Sequence, residues 1–399
     1  MHLPRSERPR PVARGVSQWR EAFPVLAAAF LFNFGQGALR PALPLYLREV
    51  FGASYRMVTL IPVVFGAGKW AANLPTGYLL HRIGRVPLMV TGLAVIALCD
   101  LASLAVFRYA DFLVVRGVGG AGWAMFATVA TTAMVQRGAR GRAISLLLMS
   151  ESLGLLLGSA VGGSSYQWAG RASPFVVEAG CMVAGAVIVS WCGLPHPATG
   201  ARPAAAAPPL REVIRVPRVM LASVVNAVTM GVQTGVLVFL FPLYLVDRGQ
   251  FSPGAVGALV ALSVVGRVLA LWLAGGVSDR HDRLTVLALG LCAFAIVLLT
   301  FPLITNAWAL GLWSVLIGAA GGLVAGLPTA IIGDRVDPAM HGIAIGWLRT
   351  VTDVGMVIGP LVMGPLADAF GLAAPFVAAA VVLSALSLVC WRRAALRTP

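Results

Sequence analysis

Nine ionisable side chains lie inside long apolar runs of this 399-residue sequence: Arg40, Lys69, Asp100, Arg116, Glu151, Glu178, Arg267, Arg349 and Asp353. A charge at the centre of a bilayer costs roughly 2.5–3.5 kcal/mol on insertion scales, so each needs a partner or a polar path. Five bases and four acids suit ion pairs that form and break, proton uptake on a carboxylate, or recognition of a charged solute. Lys69 and Arg267 each precede a polar-turn residue, His81 and Asp279, by 12 positions. Asp353 follows His341 by 12, and Glu151 follows Arg142 by 9. At about 1.5 Å per helical residue, all four lie near mid-membrane.

The elements that carry these groups are membrane helices. Hydrophobic residues make up 59% of the chain and charged residues 11%, against about 25% charged in soluble domains. Apolar runs near 20 residues match the hydrocarbon thickness. Twelve spans are predicted: 21–47, 56–80, 86–107, 111–135, 143–165, 172–194, 218–246, 253–277, 284–305, 307–333, 341–367 and 372–391. Residues 1–20 read as an N-terminal tail rather than a cleavable signal, 195–217 as a Pro- and Ala-rich linker between domains 21–194 and 218–391, and 392–399 as a C-terminal tail. Of the 30 basic residues, 20 fall on the side of the termini, 5 in loops of the other side and 5 within spans. That bias places both termini in the cytoplasm of a cell (inner or plasma) membrane protein.

The net charge of +15 is spread over short loops, with no basic helix or aromatic-lined groove, so no nucleic-acid partner is expected. The five cysteines sit in apolar runs without ligand spacing, and the five histidines lack partners; neither a metal nor a catalytic centre is expected. No phosphate loop is present, which leaves a gradient rather than ATP as the energy source. No cofactor is expected, and the protein reads as a monomer in the lipid bilayer.

The two halves repeat. At an offset of 198, Pro44-Leu-Tyr-Leu matches Pro242-Leu-Tyr-Leu, and Gly68-Lys69 matches Gly266-Arg267. After a further shift of three, Gly154-x-x-x-Gly158 matches Gly355-x-x-x-Gly359. The turn Gly77…His81-Arg82-Ile-Gly84-Arg85 recurs as Gly275…Asp279-Arg280-His-Asp282-Arg283. Copies of the same orientation, related about the membrane normal, are a transporter plan with the substrate between them near the midplane.

These motifs resemble the major facilitator superfamily over essentially the whole chain. The turn at Gly77–Arg85 is similar to its cytoplasmic gate loop, with His81 where the family carries an acid. Arg116-x-x-x-Gly120-x-Gly122 is similar to a span 4 motif of proton-coupled members. Gly154-x-x-x-Gly158-Ser159-x-x-Gly162-Gly163 resembles the antiporter motif of span 5, with Ser159 in place of proline. The resemblance implies an all-α membrane fold of 12 helices in two pseudo-symmetric six-helix bundles. In that plan span 2 faces span 11, span 5 faces span 8, and spans 3, 6, 9 and 12 are peripheral.

Two cross-half ion pairs are then expected, Lys69–Asp353 and Arg267–Glu151, with a local Arg349–Asp353 pair as competitor. Asp100 and Arg116 read as a structural pair, although the motif keeps Arg116 a candidate for coupling. Glu178 reads as interfacial. Asn33, Gln36, Arg40, Asn226, Gln233 and Thr234 are cavity candidates, for which interhelical hydrogen bonding is the competing reading. The function expected is secondary transport by alternating access, through proton-coupled efflux of a small organic or amphiphilic molecule. The alternative is uptake of a sugar or organic anion by symport or facilitation.

Overall fold

A computed structural model of the chain describes residues 11–135, 140–194, 211, 215–248, 250–278, 282–335 and 341–395. The described residues form the twelve spans. Spans 1 to 6 are Pro11–Phe51, Tyr55–Ile83, Arg85–Ala105, Tyr109–Val135, Arg140–Ala169 and Ser173–Cys192. The helix of span 1 already includes Pro11, the first described residue, ten residues before the expected start. Spans 8, 9, 11 and 12 are Pro253–Ser278, Arg283–Thr300, His341–Phe370 and Ala374–Ala395.

Spans 7 and 10 depart from single helices. Span 7 runs as an α-helix over Pro217–Val232, a π-helix over Gln233–Leu240 and an α-helix over Phe241–Asp247. Pro242 lacks the N–H that would continue the ordinary ladder. The equivalent Pro44 lies inside an unbroken helix, so proline alone does not make the π turn. Span 10 breaks at Gly326 into Ala307–Ala325 and Leu327–Arg335.

Glycine seams set how the helices pack. Gly154, Gly158 and Gly162 of span 5 lie four residues apart, where an added Cβ would meet the carbonyls of Phe30, Phe34 and Ala38 of span 1. Gly355 and Gly359 of span 11 meet Ala227 and Gly231 of span 7 in the same way. Gly68 and Gly120 join spans 2 and 4, and Gly266 and Gly318 join spans 8 and 10. Without a hydrophobic drive inside lipid, such backbone approach supplies the van der Waals contact that holds helices together. The result is two pseudo-symmetric six-helix bundles, each with its own buried apolar cluster.

A third cluster crosses between the bundles. It includes Leu43, Tyr46, Ile61, Phe112 and Phe175 of the first half and Phe239 and Leu243 of the second. These side chains belong to the far face, meaning the end of the molecule opposite the chain termini.

Candidate functional site

The bundles meet along two equivalent seams, span 2 on span 11 and span 5 on span 8. At mid-depth of the first, Lys69 Nζ donates to Asp353 Oδ1 at 3.1 Å. Lys69 is fourteen residues from either end of its helix, and the ring of Trp123 lies 4.4 Å from its ammonium. Acid and aromatic face together offset the desolvation of the lysine. Arg349 is exposed and does not pair with Asp353 among the described residues, so the cross-half partner takes the carboxylate and the expected local pair is absent.

The second expected pair, Arg267–Glu151, is not formed. Register gives the reason. With the three-residue shift that aligns Gly154 with Gly355, Asp353 corresponds to Ser152, and Glu151 to Thr352. One residue is about 100° around a helix, so Glu151 does not occupy the place opposite Arg267. Neither group has a hydrogen-bond or ion-pair partner among the described residues.

Arg267 instead lines a cavity of about 30 Å³ with Arg40, Gln233, Ser263, Leu155 and Leu237. The two guanidinium side chains line the same cavity, and no acid is among the lining residues. Gln233, Leu237 and Phe241, which start, centre and follow the π segment, form the span 7 wall. Single π turns in α-helices recur at functional sites because they widen the helix and re-aim side chains.

Of the six neutral or basic cavity candidates, Arg40 and Gln233 line this space. The others turn away from it. Asn33 donates to the Ala29 carbonyl of its own helix (3.0 Å), and Asn226 to Thr352 Oγ1 of span 11. Thr234 donates to the Met230 carbonyl at 2.8 Å. Gln36 donates to Glu178 Oε1 inside the first bundle.

Gln36 belongs to an ionic core. Arg116 Nη1 donates to Asp100 Oδ1 at 2.7 Å, with 4% of Arg116 and none of Asp100 exposed. Glu178 is also fully buried and stands beside Asp100. It is therefore a core residue and not interfacial, a consequence of the peripheral span 6 packing against both span 3 and span 1. Two carboxyls share one guanidinium there, and Asp100 Oδ2 and Glu178 Oε2 find no donor.

The far face is latched by two related caps. The Asp368 carboxylate at the end of span 11 accepts from Tyr55 N (2.9 Å) and Arg56 N (3.0 Å), the start of span 2. Gln167 Oε1 at the end of span 5 accepts from Gly254 N (3.0 Å), the start of span 8. Orphan N–H groups of a helix start are thus satisfied by the opposite bundle. Arg48 adds an ion pair with Asp247, and Tyr55 Oη donates to the same carboxylate at 2.7 Å. Between latch and mid-depth, Gly163 abuts Gly257 and Gly364 abuts Thr59, with no room for a Cβ. Every cross-half hydrogen bond and glycine contact among the described residues lies from Lys69–Asp353 to the far face.

These latch residues escaped the sequence reading. Their signal was present, since Asp368 corresponds to Gln167 and Arg56 to Gly254 under the two offsets already established.

At the terminal face, Gly84 has φ 91° and both ends span 2 and starts span 3. Only glycine takes that angle without strain, which accounts for its place in the turn. Arg82 is exposed, and nothing packs within 4 Å of a Cβ at Gly77. The backbones of His81 and Gly275 are helical, and Asp279 and Arg280 lie outside the described residues. In the second copy Asp282 caps span 9, and Arg283 Nε pairs with Asp334 at 2.9 Å. Ser159 is buried and donates to the Leu155 carbonyl at 2.7 Å.

A family model described as Major Facilitator Superfamily matches residues 25–252 and 249–399. The chain belongs to the Major Facilitator Superfamily. Among similar proteins, "Multidrug resistance protein MdtG" of Citrobacter koseri is 33% identical over 154 residues, 38% of this chain and 37% of that protein. This chain therefore matches little more than a third of that relative's length. The "Uncharacterized MFS-type transporter YcaD" of Salmonella enteritidis is 24% identical over 300 residues, 74% of this chain and 76% of that one. Among solved structures, the nucleoside transporter NupG superposes with a TM-score of 0.76 at 12% identity, over 93% of this chain and 98% of that one. A bacterial homologue of the lysosomal transporter Spinster, solved in an inward-facing, unoccupied conformation, gives 0.78 at 15% identity over 94% and 97%. The protein is thus an integral membrane transporter of this superfamily.

Proposed function

We propose that the protein is a proton-coupled exporter of a small organic or amphiphilic molecule, working by alternating access. The observation that carries this reading is the Lys69–Asp353 pair at 3.1 Å, which ties the bundles at mid-depth where the far-face contacts end. A proton taken up by Asp353 removes the charge that holds Lys69 across the seam, so proton binding and separation of the bundles become one event. Bundles 21–194 and 218–391 rock as units about the linker 195–217, of which 195–210 and 212–214 lie outside the described residues. With both termini in the cytoplasm of the cell membrane, as the basic-residue bias supports, the far face is external and this conformation opens inward. The relative named as a multidrug resistance protein, similar over 38% of the chain, supports export.

The test is transport in proteoliposomes under an imposed pH gradient, read with pyranine for protons and with a panel of cationic, neutral and anionic fluorescent dyes. Exchange of dye against protons is expected, and Asp353→Asn should reduce it at least tenfold while a charge swap, Lys69→Asp with Asp353→Lys, restores part of it. Dye accumulation along the proton gradient would establish uptake instead. Unchanged proton-driven transport in both Asp353→Asn and Glu151→Gln would end the coupling role.

A further inference from the structure

The equivalence of the two seams exposes a missing charge. Lys69 and Arg267 occupy corresponding positions, both half-buried near mid-membrane, and Lys69 is neutralised by Asp353. Arg267 has Ser152 at the place corresponding to Asp353. A second cation, Arg40, stands beside it where the other half carries Val238. Two unpaired guanidiniums inside a membrane protein are costly, and the chain gives them no counter-ion among the described residues.

We infer that Arg40 and Arg267 form an oxyanion site, and that the transported molecule carries a carboxylate, phosphonate or phosphate group that supplies the absent charge. The inference rests on the transporter reading above and deepens it by naming the substrate's chemistry. Guanidinium presents a planar fork of donors that matches an oxyanion, and charge-assisted bonds of this kind are roughly twice as strong as neutral ones. Gln233 and Ser263, the other polar residues lining the cavity, add neutral hydrogen-bonding groups. The cavity of about 30 Å³ has room for about two waters, so in this conformation it holds only the oxygens of the head group. The body of the ligand extends toward the terminal face, where the described residues show no cross-half hydrogen bond or glycine contact. Gln233 and Leu237 of the π segment line this cavity, so the irregular backbone borders the unpaired cations. Glu151 is one turn from the lining residue Leu155 on the same helix and is the nearest acid of span 5 in sequence to compete for Arg267.

The test is equilibrium binding to the full-length protein in detergent, with four probes of one shape: benzoate, phenylphosphonate, benzamide and benzylamine. Benzoate and phenylphosphonate are expected to bind at least tenfold more tightly than benzamide, with benzylamine weakest. Arg267→Gln and Arg40→Gln should each remove at least tenfold of that preference. Ser152→Asp keeps both arginines and installs the carboxylate found in the other seam. It should suppress benzoate binding through an internal pair, and it keeps the test readable if the glutamine variants do not fold. Benzamide or benzylamine binding as tightly as benzoate, wild-type benzoate affinity in Arg267→Gln, or no binding of any probe at millimolar concentration would overturn the site. Detergent binding needs no gradient. Loss of proton-driven export with anion selectivity intact therefore overturns the coupling proposal alone, and the reverse result overturns the oxyanion site alone.

Discussion

The two halves share one plan and differ in where they place charge. In the first bundle, Asp100, Arg116 and Glu178 make a buried ionic core. The corresponding positions of the second bundle are Leu298, Ser314 and Ala379, all fully buried. At one seam Lys69–Asp353 and the Asp368 cap are charged; at the other, Ser152 holds the position corresponding to Asp353 and the cap is Gln167. The apolar half shows that this packing does not require ions. Buried ion pairs seldom add stability over an apolar replacement, so the charges of the first half and its seam are explained better by what they bind or release than by what they hold together.

The sharpest way to break this comparison is in the core. Arg116→Leu leaves two buried carboxyls with no cation and should cost about 3–5 kcal/mol, seen as a large drop in the detergent unfolding temperature. The triple change Asp100→Leu, Arg116→Ser, Glu178→Ala copies the second bundle and should recover most of that loss. A triple variant as unstable as the single one would show that the first bundle needs its ions to fold.

A smaller effect separates the seams at their glycines. An alanine at Gly163 meets backbone of Pro253 and Gly257, whereas one at Gly364 meets first the Thr59 hydroxyl, a side-chain atom that can turn away. Gly163→Ala should therefore disfavour the closed far face by about 1–3 kcal/mol, and Gly364→Ala by less. Spin-label distances between the far-face ends of the bundles read the shift. Equal shifts, or the reverse order, would mean that the two seams bear the closure differently from their geometry.

The finest distinction is in the caps. An anion at a helix start is favoured by the aligned peptide dipoles by about 0.3–1 kcal/mol. Asp368→Asn should loosen the far face by that order, and Gln167→Glu should tighten it. The same spin-label pairs, measured at low and high salt, check both signs, and the difference should shrink as salt screens the charge.

Much of this was legible in the chain. Composition and run length dictate a helical membrane protein, because lipid leaves backbone groups no partner outside the helix. The duplicated turn and the offsets of 198 and 201 dictate two bundles in one orientation, and they carry the alignment of Asp353 with Ser152. Gly84 and the glycine seams were readable as types, since only glycine permits their angle or approach.

Which groups meet was decided by the tertiary structure. Glu178 counted as interfacial and Gln36 as a cavity residue until the packing of spans 1, 3 and 6 brought them together. Glu151 is one residue out of register with the counterpart of Asp353, and it makes no pair with Arg267 among the described residues. Depth along a membrane helix follows from counting residues, but the direction a side chain faces depends on the rotation each helix adopts against its neighbours. Glycine contacts set that rotation here, and they also left Arg40 and Arg267 together without an acid.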